Sequence, residues 1–300
     1  MLNFLESLPG AVAQGLIWGI MAIGVYITYR VLDLADLTVD GSICTGGAVL
    51  VMCTVGGMNI YLAMLLAFLA GCVAGFITGI LHTRFGIPAI LSGILTQLAL
   101  YSINLRILGN KANQTLNVTK YPVVVSLRNI PMSIVVGAIA VVLIIAILYW
   151  FFGTEMGHSI RATGANAAMA RANGINTDRR KIIGFVLSNG IVAVSGALLS
   201  QYQGFADINM GRGAIVIGLA AVIVGEVLFS KIFINFALKL FAAVIGGIIY
   251  YIVITIVLRL GLNANDLKLF SAIVVALFLA VPYLKGEYFS KKKVGGNKNA

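Results

Sequence analysis

The side chains able to carry chemistry are few and scattered. The two histidines, His82 and His158, have no nucleophile or metal-binding neighbour in sequence, and no HExxH, GxSxG or paired-carboxylate spacing occurs. Cys44, Cys53 and Cys72 lie in apolar stretches without a CxxC pair and read as small core residues rather than a metal or disulfide framework. No GxxxxGK followed by Ser or Thr is present, so the chain has no P-loop to cradle nucleotide phosphates. If ATP drives this protein, another polypeptide binds it. The reading is therefore of a protein with no catalytic residues, no metal and no cofactor.

What remains is a set of polar side chains inside apolar stretches: Thr38, Asp40, Ser42 and Thr45, then Ser92, Thr96, Gln97 and Asn104, then Ser188, Asn189 and Ser195. In lipid each of them either lines a solute pathway or forms an interhelical hydrogen bond, worth about 0.6 kcal/mol on average. Thr38, Asp40, Ser42, Gln97, Asn104 and Asn189 are the pathway candidates, and Gln97 and Asn189 stand out as amides deep in apolar sequence. Asp40 also suits a cap on a broken helix, and Glu226, five residues before Lys231, suits a structural ion pair or a helix end.

The elements that position these groups must be membrane spans. Of the 300 residues 60% are hydrophobic and only 10% charged, with a mean hydropathy of +1.01, against about 25% charged in an ordinary soluble domain. A soluble globule of this size has no way to hide so much apolar surface. This excludes a soluble enzyme on an anchor and any sizeable extramembrane domain. Nine apolar segments stand out, at about 8–29, 37–55, 59–82, 87–107, 132–152, 182–202, 213–230, 234–257 and 267–284. The expected fold is all-α: a polytopic membrane helix bundle in one domain over residues 1–285, followed by a basic tail at 286–300.

The net charge of +11 would suggest nucleic acid in a soluble protein, but the aromatic residues show no base-stacking pattern, so no nucleic acid is expected. The Lys and Arg residues instead mark the cytoplasmic ends of spans. With the N-terminus outside, thirteen of them fall on the inner face and seven on the outer, four of the seven in or beside the loop 108–131. That favours an outside N-terminus and a cytoplasmic C-terminus. The first residues lack a signal peptide's basic region and carry Glu6. Glycines at helical spacing (Gly15 and Gly19; Gly71, Gly75 and Gly79; Gly246 and Gly247) point to closely packed spans.

Two breaks resemble each other. Leu34-Ala-Asp-Leu-Thr-Val-Asp-Gly41 enters the second span, and Phe205-Ala-Asp-Ile-Asn-Met-Gly-Arg-Gly213 enters the seventh from the opposite face, as an inverted repeat would. The outer loop holds two Asn-x-Thr triplets, at Asn113 and Asn117, and reads as a docking surface whose Lys111, Lys120 and Arg128 face carboxylates on a partner.

The longest inner loop, 153–181, contains a short Ala-rich helix over Asn166–Ala172, with Thr163 or Asn166 to cap it and Gly174 to end it. Asn176-Thr-Asp starts the next span. By itself this helix suits either a partner's groove or the lipid headgroups, where Arg161 and Arg171 would snorkel.

This loop, together with Asp36-Leu-Thr-Val-Asp-Gly-Ser42 and Gly218-Leu-Ala-Ala-Val-Ile-Val-Gly-Glu-Val-Leu-Phe229, resembles the ABC-importer permeases of the branched-chain amino acid and ribose group, over about residues 10–285. Relative to ribose-type members one N-terminal span is missing. The resemblance implies a multi-pass protein of the cell membrane that works as a homodimer with two copies of an ABC ATPase subunit and an extracytoplasmic solute-binding protein. The coupling helix would be Thr163–Ala172, with Thr163, Gly164, Asn166, Ala168, Arg171, Asn173 and Gly174 meeting the ATPase. It implies import of a small solute, an amino acid and by its branch an aromatic one. The alternative is an ion-coupled secondary transporter with inverted repeats, working without an ATPase.

Overall fold

A computed structural model describes residues 8–229 and 232–259, and isolated helical positions between 269 and 280. The ninth apolar segment and the basic tail, apart from those positions, lie outside the described residues, as does Lys231. The helices are α1 (Leu8–Tyr26, extended by a π-helical turn Ile27–Val31), α2 (Thr38–Val55), α3 (Ile60–Thr83), α4 (Ala89–Ile107), α5 (Ile130–Phe152), α6 (Glu155–Ala165), α7 (Ala167–Ala172), α8 (Thr177–Gln203), α9 (Ala214–Phe229) and α10 (Phe236–Arg259). Two three-residue strands, β1 (Asn113–Thr115) and β2 (Phe205–Asp207), pair antiparallel with Asn113 opposite Asp207. Among the described residues seven helices are long and apolar enough to cross a membrane, and α9 is a shorter apolar one. The architecture is thus the expected all-α polytopic bundle.

Polar punctuation sets the helix ends. Asn59, Asn129, Thr154, Asn166 and Asn176 each accept a backbone N–H from the first turn of the helix that follows, which satisfies donors the helix itself leaves bare. Gly204, at φ 79, ends α8 in the left-handed conformation that favours glycine.

α1 and α8 run through the centre of the bundle and α5 lies at its edge. Ile20, Met21, Ala22 and Ile23 of α1 are fully buried, whereas Val135, Ile139, Val142 and Ile147 of α5 are more than half exposed, as expected of a face turned to lipid. Small residues decide how closely the centre packs. A Cβ on Gly46 would run into the Ala193 carbonyl, and one on Gly196 into that of Ile43, so α2 and α8 touch backbone to backbone. Gly71, Gly75 and Gly79 lay α3 on α8 in the same way, and Gly15 and Gly19 lay α1 on α10.

The loop 153–181 holds more helix than expected. α6 precedes the expected α7, and Thr163 lies inside α6, where its hydroxyl donates to Ser159 O at 2.7 Å. It therefore caps nothing. Asn166 is the cap of α7, Asn173 follows it, and Gly174, at φ 79, ends it. α8 then leads from this end of the bundle to the opposite, sheet-bearing end.

Candidate functional site

The two breaks meet. The chain leaves α1 through Leu32–Leu37 and starts α2 well inside the bundle, since Ser42 pairs with Asn189, the middle of α8. The segment 208–213 descends beside α2 from the sheet end, and α9 begins at its foot. Asp40, in the first turn of α2, accepts the Gly213 N–H on Oδ2 and the Ile215 N–H on Oδ1, both at 2.9 Å. It is a cap, as its place at a broken helix suggests, but it caps α9 rather than its own helix. Cys44 joins the same two segments: its thiol donates to Ile208 O at 3.3 Å and accepts the Gly211 N–H at 3.1 Å. α2 and α9 thus start close together and run to opposite ends of the bundle.

Behind Asp40 lies a fully buried polar network. Asn189 Nδ2 donates to Asp36 Oδ2 (2.7 Å) and to Phe185 O (3.0 Å), its Oδ1 accepts from Ser42 Oγ (2.6 Å), and Asp36 Oδ1 accepts the Thr38 N–H (2.9 Å). The Thr38 hydroxyl lies 2.7 Å from that of Thr78, which donates to Thr96 Oγ1 at 2.9 Å.

In front of Asp40, α2, α4 and the 208–213 segment enclose a cavity of about 280 Å³, lined by Asp40, Gly41, Cys44, Gln97, Leu98, Tyr101, Asn104, Ile208 and Arg212. Asn104 Nδ2 points at Gly41 O (3.5 Å), and its Oδ1 is buried without a partner among the described residues. Of the six pathway candidates the structure brings Asp40, Gln97 and Asn104 together on this cavity. Thr38, Ser42 and Asn189 instead form the network behind it. Cys44, Tyr101 and Arg212 were not foreseen. The available signal was Gly211-Arg-Gly213: a cation between two glycines at a helix break is not simply a face marker. Among the described residues no three His, Cys, Asp or Glu side chains gather where they would hold a metal.

The second candidate region is the α6–α7 end. Gly164 of α6 packs against the backbone of Val31 and Leu32, where α1 ends, and the Arg161 guanidinium lies 5.2 Å over the Phe236 ring of α10. Arg30, in the π-helical turn, forms a two-pronged pair with Glu226 of α9, its Nε 2.7 Å from both carboxylate oxygens. Glu226 is therefore the expected structural ion pair, made across the bundle. Of the seven coupling candidates, Thr163 is buried and Gly164 partly so, whereas Asn166, Ala168, Arg171, Asn173 and Gly174 are exposed, along with Met169.

A multi-span bundle with a cavity at a helix break, between α2 and α4, and an exposed helical hook at one end suits a transport permease. Over residues 8–282 the chain matches the family described as branched-chain amino acid transport system / permease component, and it belongs to that family. It is a multi-pass protein of the cell membrane, and its family is one of transport permeases, not enzymes. Relatives include a tyrosine transport system permease protein of Clostridioides difficile, 42% identical over 92% of this chain and 91% of that one. The autoinducer 2 import system permease protein LsrC of Yersinia pseudotuberculosis is 32% identical over 57% of this chain and 48% of its own length. A solved structure, PsaBC from Streptococcus pneumoniae in complex with Fab, has the same fold, with a TM-score of 0.53 at 15% identity over 94% of this chain and 95% of that one.

Proposed function

We propose that this chain is the membrane subunit of an ATP-driven importer for an aromatic amino acid, working by alternating access around the Asp40 cavity. The observation that carries the reading is α7: a capped helix at one end of the bundle, exposed at Ala168, Met169 and Arg171 and seated through Gly164 of α6 on the end of α1. Such a helix is a grip for a second protein. That protein is an ABC ATPase, present in two copies beneath a homodimer of this chain, and an extracytoplasmic binding protein delivers the solute. The α6–α7 end is then cytoplasmic and the sheet end outside, as the Lys and Arg count favours. A single transmembrane domain covers residues 1–285. ATP-driven closure of the ATPases displaces α6 and α7, and the motion reaches α1 through Gly164 and α9 through the Arg30–Glu226 pair. The tyrosine relative supports the cargo class, and so does a cavity whose charged groups are one carboxylate, Asp40, and one guanidinium, Arg212.

Tagged chain purified from its native membrane should bring down a P-loop ATPase, and Ala168→Glu or Arg171→Glu should lose it while the chain stays folded. Uptake in liposomes by this chain alone, driven by an ion gradient, would instead establish the secondary-transporter reading.

A further inference from the structure

The cavity holds two groups of opposite charge in different states. The Asp40 carboxylate is engaged, each oxygen accepting an α9 backbone N–H. Arg212 is not. Its side chain is exposed on the cavity wall, and among the described residues the one ion pair is Arg30 with Glu226. Arg212 sits between Gly211 and Gly213, and Gly213, at φ 85, adopts the left-handed backbone that turns the chain into α9. Arg212 thus sits at the turn into a 16-residue helix whose first N–H groups already have their anion in Asp40, which leaves the guanidinium as the uncompensated charge on this wall.

A second observation points to a ligand on the same wall. Asn104 is 1% exposed, yet its Oδ1 has no donor among the described residues. Turning the amide over would set this oxygen against Gly41 O, so the orientation that leaves it bare is the one Gly41 enforces. A buried acceptor without a donor costs about 1–3 kcal/mol, and a solute ammonium or amide would satisfy it. Beside the Gln97 amide, Leu98, Tyr101 and Ile208 add an apolar and aromatic surface for a side chain.

We infer that this cavity is a transit site for the solute within the permease itself, with the Arg212 guanidinium receiving the solute carboxylate and Asn104 Oδ1 receiving its amino group. The inference rests on the amino-acid reading above and adds to it that the permease, and not only its binding protein, selects for a carboxylate. Arg212 is then a specificity residue, because a solute that brings no carboxylate leaves the guanidinium without its partner.

The test uses the full chain co-purified with its ATPase in lipid nanodiscs, without binding protein. Binding of tritiated L-tyrosine is competed with its deaminated acid, which keeps the carboxylate, and with its decarboxylated amine, which does not. The acid should compete at least about tenfold better than the amine, and Arg212→Gln should weaken tyrosine binding by about tenfold or more while Arg212→Lys keeps most of it. Equal yields of ATPase co-purified with each variant exclude misfolding as the cause. The inference is overturned if acid and amine compete equally, if Arg212→Gln binds as the unaltered chain does, or if no tyrosine binds at all. A separate arm measures ATP-driven uptake in proteoliposomes with the binding protein present. Uptake that persists unchanged in Arg212→Gln sinks the transit site and leaves the importer standing. A complex that imports no amino acid sinks the importer reading itself.

Discussion

Ala35-Asp-Leu-Thr38, before α2, and Ala206-Asp-Ile-Asn209, before α9, make one turn in two environments. In each the aspartate Oδ1 accepts the N–H two residues on, Thr38 at 2.9 Å and Asn209 at 2.7 Å. In each the other oxygen takes an amide from an asparagine elsewhere: Asn189 Nδ2 at 2.7 Å for Asp36, Asn113 Nδ2 at 3.4 Å for Asp207. The local chemistry is the short-range side-chain-to-backbone bond that lets Asp start a turn. The surroundings differ. Asp36 is 1% exposed inside the bundle, whereas Asp207 is half-buried at the small sheet, with Asn113 and Asn209 exposed beside it. Where water is near, a lost hydrogen bond is replaced by hydration. Where it is not, the deprived group keeps its full desolvation penalty. The same turn is therefore a fixed structural joint at one break and an ordinary surface turn at the other.

Breaking the buried joint should give the largest effect. Asn189→Ala strips Asp36 of one donor and Ser42 of its acceptor, both in the dry interior, and should destabilise the chain by about 3 kcal/mol or more, well above the ~0.6 kcal/mol of an average interhelical hydrogen bond in lipid. Thermal unfolding in detergent measures it. Exchanging the two groups sharpens the comparison. Asp36→Asn alone sets amide against amide, and Asn189→Asp alone sets carboxylate against carboxylate. The double variant restores a carboxylate that accepts from an amide, and should have a higher Tm than either single variant. A Tm for the double variant below both would show that the pairing is not what holds this break.

How far these breaks were readable follows from the range of the forces involved. The spans, the caps at Asn166 and Asn176, and the end of α7 at Gly174 are local: apolar runs and turn residues specify them within a few positions. The likeness of the two Ala-Asp segments was also visible, because it is a matter of residue order. Their contact was not. That Asp40 caps α9 across more than 170 residues, or that Glu226 finds Arg30 at a separation of 196 residues, depends on helix packing fixed by glycines such as Gly46 and Gly196, and no short window contains it. α6 was hidden for a different reason. Its sequence, Glu155-Met-Gly-His-Ser-Ile-Arg-Ala-Thr-Gly-Ala165, carries two glycines and few apolar residues, so propensity argues for loop, and the helix is held by its Thr154 cap and by the close seat of Gly164 on α1. Arg212 passed as a marker of topology because a basic residue in a polar segment usually is one.

Asp40 lies between the two extremes. Asp40→Ala removes the cap from α9, leaving the Gly213 and Ile215 N–H groups bare and the helix dipole without its anion. The expected cost is about 1–2 kcal/mol. Because the change falls at the cavity, it should also reduce ATP-driven uptake more than its Tm shift explains; uptake that falls only in step with folded protein would reduce Asp40 to a structural cap.

The smallest effect belongs to the exposed copy of the turn. Asp207→Asn keeps an oxygen for the Asn209 N–H, and asparagine favours the same turn. Water is at hand for the Asn113 amide, which bonds here at only 3.4 Å. The Tm should move by an amount equivalent to less than about 0.5 kcal/mol, the usual range for a substitution near the surface. The matching Asp36→Asn should cost several times as much, although the two substitutions alter the same atoms in the same local geometry. If both shift the Tm equally, burial does not separate the two breaks, and the stiffness assigned to the inner one has another source.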